Sequence, residues 1–197
     1  MACPGTKKQR RTQMKKSVSS LAGYVKTLSS GKTVVFQNWV TFDKGTTRVF
    51  RSSQPYYNDE DDTLQKFDTP AIKLLKTYNI KGIVSLNHHL IHDNSMTALA
   101  AESITYHHLA VVDFGVPTAK ELLQACQAVD NILSKGNALV YCGFGQGRTG
   151  TMMSAYAIYK LPKGSPASKL DEIIEVSTAE TDDQEKVLRD FYKMQNS

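Results

Sequence analysis

Residues 139–151 read LVYCGFGQGRTGT, and most of the predicted architecture follows from this stretch. An apolar run ends in Cys142, a glycine-rich loop follows it, and a helix-forming run begins at Arg148. In such an arrangement the backbone N–H groups of the loop and the positive end of the helix dipole point at one place. The stretch therefore predicts a strand, an anion-binding loop and a helix, with room for a tetrahedral dianion such as phosphate.

Elsewhere in the chain, short apolar runs alternate with amphipathic runs. Strands are predicted at residues 33–42, 47–55, 83–86, 104–113 and 138–142, and helices at residues 71–79, 119–136, 148–161, 167–177 and 182–194. A further short helix is predicted within residues 17–30, ended by Gly31. The alternation indicates an α/β fold with a central, mostly parallel sheet of about four to five strands flanked by helices.

The length of 197 residues suits one domain, predicted at residues 17–197, after a disordered basic tail at residues 1–16. The formal net charge is +5, and much of it comes from basic side chains in the tail: Lys7, Lys8, Arg10, Arg11, Lys15 and Lys16. Such a tail can contact an acidic protein, an anionic lipid or a nucleic acid, or can simply keep the chain in solution.

Cysteine usage and the lack of long apolar runs bear on the location of the protein. No run approaches the roughly 20 apolar residues that cross a bilayer, and the N terminus resembles no signal sequence. Cys3, Cys126 and Cys142 show no paired spacing, which argues against a disulfide framework and suits a reducing compartment. We predict a cytoplasmic protein; a nuclear one, or an effector delivered into a host cell, fits the same sequence.

Cys142 and Arg148 carry the predicted chemistry of the loop. The field that attracts an anion also stabilises the thiolate of Cys142, which makes it a nucleophile aimed at the bound group. Arg148, six positions later, can take two phosphate oxygens in a bidentate fork. The alternative is a glycine-rich turn with an incidental thiol. The joint presence of a cysteine, three glycines, an arginine and a threonine directly behind a buried strand argues against that alternative.

The motif of a cysteine, five residues, an arginine and a threonine resembles the signature of the cysteine-based protein tyrosine phosphatase superfamily. GFGQGRTGT is particularly similar to the small atypical dual-specificity phosphatases. Three further stretches agree in the right order: RVFRSSQP at 48–55 with an early R-S-x-Q-P element, VVDFGVPT at 111–118 with the mobile acid loop, and AETDDQE at 179–185 with the late glutamine loop. The resemblance spans about residues 33–193 and implies a phosphatase-like three-layer architecture.

The resemblance also implies hydrolysis of a phosphomonoester through a cysteinyl-phosphate intermediate, without a cofactor or a metal. Cys142 would attack phosphorus, and Asp113 would protonate the leaving oxygen and then deprotonate water. Thr149 would donate a hydrogen bond to the departing sulfur, and Gln184 would orient the water. Arg148 would hold the substrate oxygens together with the backbone of the loop residues Gly143, Phe144, Gly145, Gln146 and Gly147.

Each of these roles has a plainer alternative. Asp113 could cap a turn at a strand end, but Thr118 already offers a cap for the next helix, so catalysis is favoured. Thr149 could be an ordinary threonine in a first helical turn, and Gln184 a surface residue. Arg51 is predicted to support the loop or the sheet rather than to touch substrate.

All five histidines lie within residues 88–108, as His88, His89, His92, His107 and His108. Such a group could suggest a metal site. No cysteine or carboxylate pair completes a recognisable ligand spacing, so we predict surface and core histidines and no bound metal.

The sequence departs from the family at one position. Most members have a histidine directly before the cysteine, whereas this chain has Tyr141. A tyrosine offers a hydroxyl group but carries no positive charge at neutral pH. We therefore predict an active but slower enzyme whose thiolate is less stabilised than is usual in the family. The alternative is a pseudophosphatase that binds phosphorylated partners, which the retention of Asp113, Cys142, Arg148 and Thr149 disfavours.

The substrate is less visible than the reaction. A phosphorylated protein, on tyrosine or on serine or threonine, is the default expectation. Phosphoinositide-directed relatives often carry Lys or Arg in the loop, and residues 143–147 contain neither, which disfavours a lipid. An RNA 5′-phosphate stays open because of the basic tail. A sulfur- or arsenate-handling protein is a further alternative. Such a protein would not need Asp113 together with Pro117, so the presence of both disfavours it.

Overall fold

The structure, a computed structural model, describes residues 26–41, 47–59 and 62–197. The predicted basic tail and the first part of the predicted helix at 17–30 lie outside the described residues, so the domain boundary at residue 17 stays a prediction. The described strands are β1 (Lys26–Ser30), β2 (Thr33–Thr41), β3 (Val49–Ser53), β4 (Ile80–Ser85), β5 (Thr105–His108) and β6 (Asn137–Cys142). The described helices are α1 (Thr69–Thr77), α2 (Asp93–Ala101), α3 (Ala119–Leu133), α4 (Gly147–Tyr159), α5 (Ala167–Glu175) and α6 (Asp182–Asn196).

These strands form one sheet in the order β1-β2-β3-β6-β4-β5. The pairs β3–β6, β6–β4 and β4–β5 are parallel, whereas β1–β2 and β2–β3 are antiparallel. The predicted α/β class with a mostly parallel sheet is therefore confirmed. Strand β6 lies between β3 and β4, so the loop that follows Cys142 emerges near the middle of the sheet.

The sheet has six strands in the described part of the chain, one more than the upper end of the prediction. The additional strand is β1, because residues 26–30 were predicted to end a short helix. Gly31 has a φ of 60° and lies in the turn between β1 and β2. A glycine with positive φ ends helices and closes hairpins equally well, so this residue alone cannot distinguish the two.

Two further elements differ from the prediction. Strand β5 ends at His108 rather than at residue 113, because only Leu109 beyond it still bonds the sheet, through its N–H to the Ser85 carbonyl at 2.8 Å. Helix α2 was not predicted at all. Of its nine residues only Ser95 and Leu99 are buried, so its sequence lacks the apolar stripe that identifies a helix.

Helices cover both faces of the sheet, which gives the expected three layers. One core contains side chains of β6 and of α3, α4 and α6, such as Val140, Val129 and Leu188. The other contains side chains of β2, α1 and α2. Because side chains alternate along a strand, Cys142 belongs to the first core and Tyr141 to the second. In the part of the chain that the structure describes, no helix is both long and apolar enough to cross a membrane.

Candidate active site

The glycine-rich loop joins the carboxyl end of β6 to the start of α4 and curls around the Cys142 sulfur. The Gly145 N–H donates to Cys142 Sγ at 3.3 Å, and Cys142 is only 3% exposed. Gly145 has a φ of 85°, and a Cβ there would collide with the Ser52 carbonyl and lie 2.5 Å from the Ser53 nitrogen. The loop can therefore lie against β3 only because this residue has no side chain.

Replacing Gly145 with alanine is expected to destabilise the fold by about 2–4 kcal/mol, from positive-φ strain together with the clash with β3. Urea unfolding followed by circular dichroism measures this change. Gly164→Ala is a matched control, since Gly164 has a φ of 82° and nothing lies within 4 Å of its Cβ position. The control should lose only about 1 kcal/mol, from backbone strain alone. Equal losses in the two variants would show that contact with β3 does not matter.

The R-S-x-Q-P element holds the loop from the β3 side. The Gln54 N–H donates to the carbonyls of Cys142 and Gly143, at 2.8 and 3.0 Å. From β2, Asn38 Nδ2 donates to the Phe144 carbonyl at 2.8 Å. Three loop carbonyls are thus bonded by neighbouring segments. In a loop of this kind successive backbone N–H groups can form an anion-binding concavity, here called the bowl, at residues 143–148.

Arg148 is buried and bonded on several sides, with 4% of its side chain exposed. Its Nη1 donates to Asp62 Oδ2 at 2.6 Å, to the Val111 carbonyl at 2.9 Å and to the Leu86 carbonyl at 3.3 Å. Its Nη2 donates to Asp113 Oδ1 at 3.2 Å. Burial by itself would lower the pKa of this guanidinium, but the Cys142 thiolate and the two carboxylates outweigh it and raise that pKa.

Asp113 lies on the loop between β5 and α3, not at the end of a strand as predicted. Its side chain is 37% exposed, and its carboxylate reaches Arg148 from the solvent side. Beyond Leu109 the chain leaves the sheet, and the Val111 carbonyl accepts a hydrogen bond from Arg148. Phe114, directly after Asp113, has a φ of 62°. Thr118 caps α3 as predicted, in a capping box with Glu121.

Two polar side chains of the loop and helix have no hydrogen-bond partner among the described residues. They are Thr149, through Oγ1, and Gln146, through both atoms of its amide, and both residues are at most 1% exposed. The buried Thr149 hydroxyl is a hydrogen-bond donor without an acceptor, which suits the predicted bond to a departing sulfur. That role stays a prediction.

Gln184 is buried and linked to the acid loop. Its Nε2 donates to the Gly115 carbonyl at 3.1 Å, and its Oε1 accepts from the Glu180 N–H at 2.7 Å. Its side chain therefore connects α6 to the loop that carries Asp113. A water-orienting role for this residue stays a prediction.

Arg51 lies beneath the loop. It is 2% exposed, and its Nη1 donates to Thr178 Oγ1 at 2.8 Å, which in turn donates to the Gln146 carbonyl at 3.4 Å. Burial lowers the pKa of Arg51 to about 10, against the opposing effect of the nearby Cys142 charge. This placement agrees with a supporting role for Arg51.

Sequence reasoning missed Asp62, Gln65 and Asn87, all of which help to build the site. Asn87 Nδ2 donates to Gln54 Oε1 at 2.6 Å and to the Asp62 carbonyl at 3.0 Å. The only signal was the acidic run DEDD at residues 59–62, in the polar stretch between the strand predicted at 47–55 and the helix predicted at 71–79. Nothing in the sequence of that run indicates that Asp62 is the carboxylate that contacts Arg148.

The histidines do not form a metal site within the ranges that the structure describes, where no group of three or more potential ligands was found. His88, His89, His92 and His107 are exposed, and His108 bonds the Asn87 carbonyl through Nε2 at 2.9 Å.

Solved structures similar to this chain include several phosphatases. Tk-PTP in its active form has a TM-score of 0.58 at 18% identity, over 78% of this chain and 96% of that one. PTPMT1 has a TM-score of 0.57 at 21% identity, over 79% and 96%. The core catalytic domain of the PP-IP phosphatase SIW14 from S. cerevisiae has a TM-score of 0.51 at 17% identity, over 73% and 80%. At such identities the likeness establishes the fold, that of the dual-specificity and tyrosine phosphatases.

The sequence itself is assigned by a family model. The model described as "Polymorphic toxin system, DSP-PTPase phosphatase" matches residues 63–161, which is half of the chain and includes Asp113, Cys142 and Arg148. The chain belongs to this family of DSP-PTPase phosphatases.

Proposed function

We propose that this protein hydrolyses phosphomonoesters through a cysteinyl-phosphate intermediate formed on Cys142. One observation carries the proposal: the Gly145 N–H donates to the Cys142 sulfur while Arg148 Nη2, at 3.2 Å from Asp113, lies over the same loop. A nucleophile, a cation for the phosphoryl oxygens and an acid for the leaving group thus meet at one place.

In the first step the thiolate of Cys142 attacks phosphorus, and the bond to the leaving oxygen breaks. Asp113, entering protonated, gives that oxygen its proton. The loop N–H groups and Arg148 hold the three equatorial oxygens, where the charge is spread in the transition state. In the second step Asp113 takes a proton from water, water attacks phosphorus, and Thr149 donates to the sulfur as it leaves.

Replacing Asp113 with asparagine is expected to lower kcat by about 10²-fold on a phosphothreonine peptide, because an alkoxide leaves poorly without a proton. The loss should be much smaller on an aryl phosphate with an acidic leaving group. Steady-state rates on the two substrates measure the contrast. Asp171→Asn, at an exposed pair with Arg189, is the matched control and should change neither rate. Equal losses on the two substrates would remove Asp113 from the acid role.

For the substrate we propose a phosphorylated protein whose phosphate stands among neutral or basic residues. Apart from Asp113, which is neutral when it enters the reaction protonated, the carboxylate of Asp62 pairs with Arg148 and the Glu180 side chain lies against Gly147. Residues 143–147 add no cation. Negative charge around the bowl favours substrates with cationic neighbours and repels polyanions.

Two polyanionic alternatives stay open. PTPMT1 has been crystallised in complex with PI(5)P, and SIW14 is a PP-IP phosphatase, so proteins of this fold act on or bind phosphorylated inositols. RNA with a 5′-phosphate is the other alternative, because the basic residues of the tail suit contact with a nucleic acid. For either alternative, the acidic side chains around the bowl would have to tolerate several neighbouring phosphates.

Phosphate release from a matched panel tests the proposal. The panel contains one phosphotyrosine peptide with flanking lysines, the same peptide with flanking aspartates, the phosphothreonine versions, a soluble phosphoinositide and a 5′-triphosphate RNA. We expect kcat/KM for a lysine-flanked peptide to exceed that for its aspartate-flanked match by about tenfold in low salt, and the ratio to shrink in high salt. Faster turnover of the inositol or RNA substrate would overturn the protein assignment. Tight phosphopeptide binding without any turnover would identify a pseudophosphatase.

For the location of the protein, we propose the effector alternative over a cytoplasmic or nuclear housekeeping role. The support is the description of its family, which places these phosphatases in polymorphic toxin systems. A phosphatase delivered into another cell would find phosphorylated proteins there as substrates.

A further inference from the structure

Tyr141 occupies the position next to the nucleophile, but its side chain points away from it. It is fully buried in the core on the other face of the sheet, with its ring 6.0 Å from that of Phe67. Its hydroxyl donates to Gln65 Oε1 at 2.7 Å and lies 3.2 Å from the Tyr106 hydroxyl. Because the single hydroxyl hydrogen goes to Gln65, Tyr106 is the donor in the second contact. Burial raises the pKa of Tyr141, so this hydroxyl stays a neutral donor.

Gln65 transmits the contact to the loop that precedes α1. It is 1% exposed, and its Nε2 donates to the Asp62 carbonyl at 2.9 Å and to the His89 carbonyl at 2.7 Å. Its amide is therefore bonded at the oxygen and at the nitrogen, with Tyr141 on one side and the backbone of residue 62 on the other.

Asp62 completes the connection to the phosphate-binding loop. Its carboxylate accepts from Arg148 Nη1 at 2.6 Å, within the range of the short, charge-assisted hydrogen bonds. Arg148 Nη2 lies on the bowl side, 3.2 Å from where a Cβ on Gly143 would be. Nη1 of the guanidinium is thus held by Asp62 and two carbonyls, while Nη2 contacts Asp113 and lies beside the loop at Gly143.

We propose that Tyr141 is a positioning residue for Arg148: through Gln65 its hydroxyl holds the loop that presents Asp62, and Asp62 holds the guanidinium in its phosphate-binding orientation. The inference rests on the proposed function and assigns a different target to Tyr141 than the sequence suggested. The sequence related this residue to the Cys142 thiolate, whereas the hydrogen bonds relate it to Arg148.

The physical benefit is preorganisation. An arginine side chain loses conformational entropy when it is fixed in one rotamer. If the folded protein already fixes it, this entropy loss does not weaken substrate binding. A guanidinium that Asp62 holds at Nη1 keeps its orientation while Nη2 shares or exchanges its contact with Asp113 for a phosphate oxygen. Loss of the Tyr141 hydroxyl should therefore weaken phosphate binding and leave the reactivity of the free thiol unchanged.

The test begins with Tyr141→Phe, which removes the hydroxyl and keeps the ring packed. We expect the inhibition constant for inorganic phosphate to rise and kcat/KM to fall by about fivefold, the effect of one neutral hydrogen bond. The rate of Cys142 alkylation by iodoacetamide without phosphate should stay the same. Tyr106→Phe is the matched control and should change all three values by less than about twofold, since the bond from Tyr141 to Gln65 remains. A change in alkylation rate with unchanged phosphate affinity would overturn the proposal in favour of thiolate tuning.

The second stage is a double-mutant cycle with Asp62→Asn. That variant alone should weaken phosphate binding by about 30-fold, because a charge-assisted bond is lost. In the Asp62→Asn background, Tyr141→Phe should add less than about twofold, since both changes act on one connection. Additive losses, or tighter phosphate binding by Asp62→Asn, would overturn the proposal. If Tyr141→Phe fails to fold in thermal melts, Gln65→Met replaces it in the cycle with the same expectations.

Phosphate binding is also read from the protection of Cys142 against alkylation, which needs no turnover. A wild-type protein that binds phosphate but hydrolyses nothing would contradict the proposed function alone, and the binding cycle would still judge the role of Tyr141. Turnover with additive losses would contradict the positioning role alone. A wild-type protein that binds no phosphate overturns the positioning role as well.

Discussion

Replacing Cys142 with serine is expected to lower kcat by at least about 10⁴-fold on every substrate, because a hydroxyl group at this position has no base to activate it. The loop N–H groups and Arg148 do not depend on the sulfur, so the variant should still bind phosphate. Steady-state phosphate release measures the first effect, and calorimetric titration with a phosphopeptide measures the second. The variant should thus act as a substrate trap.

Cys126→Ala is the matched control for this prediction. Cys126 is buried in α3 among apolar side chains, and burial raises the pKa of its thiol, so it stays protonated and unreactive. Its replacement should leave kcat unchanged. Residual activity of Cys142→Ser within about 10²-fold of the wild type would mean that the reaction does not pass through a bond to this sulfur.

Replacing Arg148 with lysine is expected to lower kcat/KM by about 10³-fold, even though the charge is retained. The guanidinium uses one nitrogen for Asp62 and two carbonyls and the other for the bowl, 3.2 Å from Asp113. The ammonium group of a lysine is a compact point charge and cannot bond Asp62 and a phosphate oxygen in the way that the two ends of the guanidinium can. Kinetics on an aryl phosphate, with the inhibition constant for inorganic phosphate, measure the loss.

The surface residue Arg189 provides the control for that change. It pairs with Asp171 at 3.0 Å, and 46% of its side chain is exposed, so Arg189→Lys should leave both constants as they are. An Arg148→Lys variant that keeps more than a tenth of the wild-type kcat/KM would show that charge rather than the fork geometry suffices.

Much of the site was predictable because its chemistry is local in sequence. Cys142 and Arg148 belong to one loop of fixed length, and the geometry of a strand, a glycine-rich turn and a helix brings them together whatever surrounds them. Asp113 was predicted from the resemblance of its own stretch, and it does reach Arg148. The strands that alternate with amphipathic helices gave the class of the fold for the same reason, since periodicity is a local property.

The remaining features depend on contacts between distant segments. Strand β1 needed its partner β2 to be recognised, because Gly31 suits a helix end as well as a hairpin. Asp62 is 86 residues from Arg148, and the hydrogen bonds that Gln65 and Asn87 donate to its carbonyl hold it where its carboxylate reaches Arg148. A sequence pattern within one segment carries no information about contacts with another segment.

Tyr141 shows the division between the two levels most clearly. By itself the sequence determined that a tyrosine precedes Cys142 and that it can carry no positive charge there. Only the tertiary structure decided what its hydroxyl group touches, because adjacent residues of a strand face opposite sides of the sheet and the partner Gln65 comes from a loop 76 residues away. The chemistry proposed for the bowl thus follows from one stretch of the chain, whereas the orientation of Arg148 depends on contacts with segments distant in sequence.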